Sequence, residues 1–295
     1  MSAEGTAPTP ERPKAGRLAV LGAPIAHSKS PVLHRAAYAL LGLPWSYDAV
    51  RVGADELAGF IRSRGDDWRG LSLTMPLKRA VLPLLDEADD LVGLVGTANT
   101  VLFDRGRILG FNTDVHGLIA ALRAIGVLAP RRVRVLGAGA TAASVLVAVN
   151  HLGAESVVVA TRSPQKTAPL IALAKRLGQD VTIESLEFGG WDDPPDVVIS
   201  TVPGGTTLDV EFPEQLRRDT ALLDVSYDPW PSPLAAAWLS VGGRASSGLE
   251  MLAHQALAQV RIFVSGDPQT ALPEEAAVLA AMRESIGLPP SAATA

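Results

Sequence analysis

The stretch "VRVLGAGATAASVL", Val133 to Leu146, changes rhythm halfway along. Its first four residues, apolar except for Arg134, suit a buried strand, and its last part has the apolar spacing of a helix. Between them stand Gly137-Ala138-Gly139-Ala140-Thr141-Ala142, a G-x-G-x-x-A pattern. The first glycine allows a tight turn, and the second leaves bare backbone that an anion can approach. The small third residue lets helix and strand pack closely, with the N–H groups of the helix N-terminus facing the anion. Alone, the spacing also fits a plain structural loop. Here it leaves a strand, opens a helix and is followed by a second strand, "SVVVATR", within the length of a βαβ unit. That context reads as a dinucleotide fingerprint, with Gly137, Ala138, Gly139, Ala140 and Thr141 against the pyrophosphate.

The end of the second strand selects the dinucleotide. Chains that bind NAD usually offer Asp or Glu there for the ribose 2′-hydroxyl. This chain offers Thr161, Arg162, Ser163 and Lys166, while Glu155 lies before the strand, at the wrong end. Hydroxyls beside a guanidinium and an ammonium suit a 2′-phosphate, so NADP is expected over NAD. A solvated basic loop is the alternative.

Outward from the fingerprint, "PDVVIST" and "ALLDVSY" continue the series of short β-rich runs, as in a doubly wound sheet. Towards the N-terminus a second alternation is visible: "RLAVLG", a helix from about Pro31, "WSYDAVRV", "ADELAGFIRSRG", "WRGLSLT", and "LKRAVLPLLDEAD" as a helix broken near Pro83. It predicts an α/β layer with a mainly parallel sheet. In "ANTVLFDRGRILGFNTD" two apolar segments flank "DRGR", a hairpin signal. The pattern restarts with the helix "DVHGLIAALRAIG", which Asp114 is able to cap. After "SSGLEM" the chain is mostly helical, and residues 1–16 read as a disordered tail.

Composition narrows the class. The 295 residues are 47% hydrophobic and 19% charged, with a formal net charge of -5 and no cysteine. A nucleic-acid surface is not expected, and disulfides, thiolate metal sites and a cysteine nucleophile are excluded. The five histidines lack metal-ligand spacing, so no metal is assigned. No apolar stretch is long enough to span a membrane, and no secretory leader is evident, so the cytoplasm is the default location.

The N-terminal half carries polar residues at strand ends. In "PIAHSKSPVLHRAAYALLG", Ser28 and Ser30 stand where a strand gives way to a helix. One hydroxyl would serve as an N-cap, and the second is either spare polarity or part of a ligand grip. "LSLTMPLK" supplies Thr74 and Lys78, "GTANT" supplies Asn99, and "GFNTD" supplies Asp114. A lysine and an aspartate held close can share the proton that accompanies hydride transfer to or from a carbinol carbon. From spacing alone, Lys78 also fits an ordinary surface lysine and Asp114 a helix cap.

Taken in order, "HSKSP", "LTMPLK", "GTANT", "GFNTD", "GAGATA" and "SGLEMLAHQAL" resemble the shikimate dehydrogenase family over nearly the whole chain, from about Arg17 to Gly287. The resemblance implies an NADP-dependent oxidoreductase interconverting 3-dehydroshikimate and shikimate, in aromatic amino-acid biosynthesis. It implies that Ser28 and Ser30 hold the substrate carboxylate and that Thr74, Asn99, Asp114 and Gln255 bind or orient the ring hydroxyls. Lys78 and Asp114 are the implied catalytic pair, Tyr227 lies near substrate and nicotinamide, and Val225 and Gly248 lie beside the cofactor. The implied architecture is a discontinuous substrate domain, 17–113 plus 249–288, and a Rossmann-type domain, 114–248, with the site between them. The partner is a small molecule, and the chain a monomer or homodimer.

Several residues depart from the family's commoner pattern. Ser72-Leu73-Thr74 stands for Asn-Val-Thr, Ala140-Thr141 for Gly-Ala, and Thr161-Arg162-Ser163 for Asn-Arg-Thr; Lys166 stands for arginine, and "STVPGG" for Asn-Ala-Thr. Glu250 occupies a place often small or neutral. A quinate/shikimate or aminoshikimate-type dehydrogenase shares the frame, and so does a non-catalytic relative that binds nucleotide or a cyclic acid.

Overall fold

The computed structural model describes residues 15–186, 191, 193–206, 208 and 210–290. The expected tail falls almost wholly outside these residues, and its last position, Gly16, already belongs to a strand.

The first sheet is built from β1 (Gly16–Gly22), β2 (Trp45–Arg51), β3 (Trp68–Leu73), β4 (Glu87–Ala88), β5 (Thr100–Asp104) and β6 (Arg107–Phe111). Its order is β2-β1-β3-β5-β6-β4. β1 pairs in parallel with β2 and β3, each reached by a helical crossover: α1 (Ser30–Leu40) and α2 (Leu57–Arg62). β5 and β6 form the expected hairpin, turning at Arg105 and Gly106, both at positive φ. Because β5 runs antiparallel to β3, this sheet is mixed rather than mainly parallel.

The broken helix expected over 77–89 is shorter. α3 (Leu77–Ala80) passes into a single 3₁₀ turn, Leu82–Leu84, and then into edge strand β4. Pro83 supplies no N–H to extend the helix. Asp86 and Asp89 draw the chain onto the sheet: Asp86 accepts from Ile108 N–H at 2.7 Å, and Asp89 caps α4 (Asp90–Val95) through Val92 N–H at 2.6 Å.

After α5 (Asp114–Ala124) comes the second sheet, from β7 (Arg132–Leu136), β8 (Ser156–Thr161), β9 (Asp180–Ser185), β10 (Val197–Ser200), β11 (Ala221–Asp224) and β12 (Ala245–Ser247). All its pairs are parallel, and the order is β12-β11-β10-β7-β8-β9. The connecting helices include α6 (Ala140–His151), α7 (Ala168–Leu177), α8 (Glu214–Asp219) and α9 (Pro233–Leu239). Strand order reverses between β7 and β10, and the glycine loop leaves β7 at that switch point, where open α/β sheets take ligands.

The last helices return to the first sheet. α10 (Leu249–Ser265) and α11 (Glu275–Ser285) bury Leu257, Val260, Phe263, Val278 and Met282 against Leu18, Leu33 and Tyr38. α10 also runs along α5. A Cβ on Gly117 would stand 2.6 Å from the Met251 carbonyl, so this crossing is close because the residue is glycine.

Candidate active-site cleft

Two adjoining hollows lie between the sheets. One, of about 340 Å³, is lined by Ser28, Ser30, Ser72, Thr74, Lys78, Asn99 and Asp114 from the first sheet's side. Tyr227 and Gly248 close it from the second sheet's side, and Gln255 and Gln259 from α10. The other, of about 520 Å³, is lined by the fingerprint Gly137–Thr141 and by Thr161, Arg162, Ser163 and Lys166. Thr74, Lys78 and Thr141 line both hollows and mark their junction. Val225 and Gly248, expected beside the cofactor, line the first hollow rather than the fingerprint hollow, on the side that carries Thr141.

At the junction the Lys78 ammonium donates to Asp114 Oδ2 at 2.6 Å, their side chains 15% and 4% exposed. Asp114 does not cap α5. Thr113 flanks the helix and Asp114 is its first residue, with the carboxylate turned into the cleft. The other oxygen, Oδ1, accepts from Asn99 Nδ2 at 2.8 Å, which costs the aspartate its freedom to cap but fixes both its oxygens. Asn99 is itself oriented by a backbone group: Thr113 N–H donates to Asn99 Oδ1 at 2.9 Å, so Nδ2 must face Asp114. Gln255 Oε1 accepts from the same amide at 3.3 Å.

The serine pair divides its work. Ser28 Oγ accepts the Ser30 N–H at 3.3 Å, the local bond that suits a serine before a helix. Among the described residues the Ser30 hydroxyl has no hydrogen-bond partner, although the residue is 5% exposed. Tyr227 reaches this loop from beyond β11: burial raises its hydroxyl's pKa, and a hydrogen bond with the Lys29 backbone works against that rise. His27 Nδ1 stands 3.7 Å from Asp228 Oδ2 on the same line of contact, both side chains largely solvated.

The fingerprint hollow is built differently. Gly137 has φ +101°, and a Cβ there would meet Thr201 Oγ1 at 2.6 Å. At Gly139 a Cβ would meet nothing within 4 Å among the described residues, so the space over the first turn of α6 is left open by them. Ser163 N–H donates to Thr161 Oγ1 at 3.2 Å, holding the loop after β8. Arg162 and Lys166 are exposed and, among the described residues, have no ion-pair partner. Glu155, before β8, is held by a two-point bond from Arg131 at 3.0 and 2.8 Å, away from this loop. Open backbone at a helix N-terminus, with unpaired cations one strand away, fits a phosphorylated dinucleotide.

Two departures acquire physical accounts. Glu250 forms an ion pair with buried Arg283, which also donates to the Pro289 carbonyl at 2.9 Å, tying α10 to α11. Ser72 Oγ donates to Gln259 Oε1 at 2.8 Å and accepts from Tyr47 at 2.6 Å. Gln259, His34 and Tyr47 were not among the expected site residues. Gln259 recurs four residues after Gln255 on one helix face, a spacing that a buried apolar helix rarely gives to glutamines.

These features define an α/β class with a Rossmann-type half and a polar ligand cavity against its phosphate loop. Among the described residues no helix is long and apolar enough to cross a membrane, and no cluster of histidines and carboxylates is arranged to hold a metal. A family model described as the shikimate dehydrogenase substrate binding domain matches residues 20–101. An NADP(+) shikimate dehydrogenase of Thermus thermophilus is 36% identical over 264 residues, 88% of this chain and 97% of that protein. That of Citrifermentans bemidjiense is 35% identical over 268 residues, 87% and 92% of the two chains. The structure of Mycobacterium tuberculosis shikimate dehydrogenase superposes with a TM-score of 0.78 at 38% identity, covering 91% of this chain and 99% of that one. The Thermus thermophilus shikimate 5-dehydrogenase, solved with NADP(H) and shikimate, gives 0.75 at 33%, covering 92% and 99%. The chain belongs to the shikimate dehydrogenase family.

Proposed function

We propose that the chain catalyses the reversible, NADP-linked reduction of 3-dehydroshikimate to shikimate. The observation that carries this reading is the Lys78–Asp114 pair, 2.6 Å apart at the junction of the two hollows. A proton-transferring pair is useful there, where a carbinol carbon on one side would meet a hydride carrier on the other. NADP, held over Gly139 and by Arg162 and Lys166, supplies the hydride acceptor or donor.

The chain's own residues do the rest. The free Ser30 hydroxyl and Ser28 hold a carboxylate beside the α1 N-terminus. Thr74, Asn99 and Gln255 orient ring hydroxyls, and Tyr227 closes the cleft over them. Lys78 passes a proton to or from the reacting oxygen, with Asp114 fixing its position and accepting a hydrogen bond. Residues 17–113 plus 249–288 form the substrate unit and 114–248 the nucleotide unit; their approach excludes water from the junction. We place the enzyme in the cytoplasm, as a monomer or homodimer.

The test is an initial-rate assay of shikimate or quinate, each with NADP or NAD, followed by nicotinamide absorbance. Turnover concentrated on shikimate with NADP is expected. Comparable quinate or NAD turnover would move the chain to the broader quinate/shikimate reading, and none with folded protein would overturn the shikimate reading in favour of an amino-substituted substrate or a binding role.

A further inference from the structure

The wall of the substrate hollow is organised around one amide that no ligand role requires. Gln259 is 1% exposed, one helical turn beyond Gln255 on α10. Its Nε2 donates to the Asn99 carbonyl at 3.2 Å and to Thr100 Oγ1 at 3.0 Å. Its Oε1 accepts from Ser72 Oγ at 2.8 Å and faces His34 Nε2 at 3.2 Å. A primary amide has two donor and two acceptor positions, and all four are used. The orientation is not free to reverse, because a backbone carbonyl accepts only, so the atom beside the Asn99 carbonyl is the nitrogen.

From that anchor the remaining protons follow. Since Gln259 Oε1 accepts, His34 Nε2 carries hydrogen, and His34 Nδ1 accepts from Tyr38 at 3.1 Å. The ring is neutral: burial lowers its pKa from 6.5 to about 3. Ser72 spends its one proton on Gln259 and receives Tyr47's. Thr100 accepts from Gln259 and donates to Asn99 Oδ1 at 2.9 Å. One side chain therefore joins four groups on three elements: α1, which begins with Ser30; β3, which leads into Thr74 and Lys78; and the head of β5, through the Asn99 carbonyl and the Thr100 hydroxyl.

We propose that Gln259 is a positioning residue for the reaction, setting the spacing of the serine loop, the Thr74–Lys78 segment and Asn99 around the substrate. It does so without touching the cofactor side. The inference rests on the proposed activity for its kinetic readout, though not for its spectroscopic one. Small misplacement of groups around a reacting centre costs up to about 100-fold in rate.

The test compares wild type with Gln259→Met, which keeps the volume and loses all four bonds. In steady-state assays with shikimate and NADP, kcat/KM for shikimate should fall roughly 10- to 100-fold, through both KM and kcat, while KM for NADP stays within about twofold. Ser72→Ala and Thr100→Val, which each remove one spoke and that hydroxyl's bond to Tyr47 or Asn99, should give smaller losses of the same kind. Either change added to Gln259→Met should cost less than it does alone, since one of the two bonds it removes is already broken and only the Tyr47–Ser72 or Thr100–Asn99 bond is left to lose. Equal rises in both KM values, or unchanged shikimate kinetics in folded Gln259→Met, would overturn the proposal. If Gln259→Met does not fold, the two single-spoke variants decide it on the same criteria. Imidazole nitrogen-15 spectra read the network without turnover. His34 should be a neutral Nε2–H tautomer in wild type and a tautomer mixture in Gln259→Met. An Nδ1–H tautomer in wild type would overturn the Gln259-centred network, whether or not shikimate is turned over.

Discussion

The two walls of the cleft are built on opposite principles. On the substrate side Lys78, Asp114, Asn99, Gln255, Gln259 and Ser72 are already bonded to one another. On the proposed nucleotide side stand open backbone over Gly139 and two exposed cations without ion-pair partners among the described residues. A small polyhydroxylated ring demands fixed donors and acceptors, because discrimination comes from leaving a buried partner unsatisfied. A phosphorylated dinucleotide brings its own charge and needs room, N–H groups and cations. One wall is organised before its ligand arrives, and the other is left for its ligand to complete.

The largest expected effect strikes the organised wall at its centre. Lys78→Ala should lower kcat by about 10²- to 10⁴-fold, the range for loss of a general acid–base. NADP affinity, measured by calorimetric titration, should stay within a few-fold, because the variant leaves the proposed phosphate contacts at Gly139, Arg162 and Lys166 intact. Near-normal kcat would remove Lys78 from the chemistry and leave the Asp114 pair as structural.

Charge on the open wall comes next. Arg162→Glu should raise KM for NADP by roughly 10- to 100-fold and change KM for NAD little, since only one of the two carries a 2′-phosphate for the guanidinium to meet. Equal effects on both would make the loop after β8 a solvated surface.

A paired substitution separates ligand space from fold space within one short loop. Gly139→Ala meets nothing within 4 Å among the described residues and lies at φ -82°, where any residue is comfortable. Its melting temperature should not move, while NADP affinity falls by about 10-fold, because the added methyl occupies the pyrophosphate's approach. Gly137→Ala should instead cost about 1–3 kcal/mol of stability, from positive φ and contact with Thr201. A destabilised Gly139→Ala would show that its open space belongs to the fold.

The same contrast explains what the sequence could reveal. The open wall is local: Gly137 to Thr141 and Thr161 to Lys166 fall within one βαβ unit, and turn geometry with strand–helix alternation exposes them. The organised wall comes from positions far apart, and spacing alone could not bring Lys78 to Asp114 or either to Gln255. The order of the motifs linked them through family resemblance. Asp114 was legible as a cap because helix starts favour aspartate, and tertiary partners overrode that preference. Gln259 left little trace, because a glutamine on a helix carries no mark of the four groups that will saturate it. Glu250 was unreadable for the same reason, its partner Arg283 lying on the next helix. The extended helix expected past Pro83 failed where aspartate side chains competed for the backbone.

The smallest effect is a pH dependence of stability written into the organised wall. His34 is neutral in the fold down to about pH 3, whereas an unfolded histidine takes a proton near 6.5. Between those values the unfolded state binds the extra proton, so stability is full above about pH 6.5 and declines as pH falls. The slope approaches about 1.4 kcal/mol per pH unit. Burial also lowers the pKa of His116 and His254, which adds to the loss in the same direction. Burial raises Asp89 and Asp224, so just above the ordinary carboxylate range the folded state holds their protons more tightly and part of the loss is offset. Denaturant unfolding should therefore show stability falling from pH 7 towards 5. His34→Gln, which cannot take up a proton, should be less stable at pH 7 but visibly flatter across that interval. An unchanged slope in His34→Gln would mean that the acid sensitivity lies with the other histidines and not with the ring that holds Gln259.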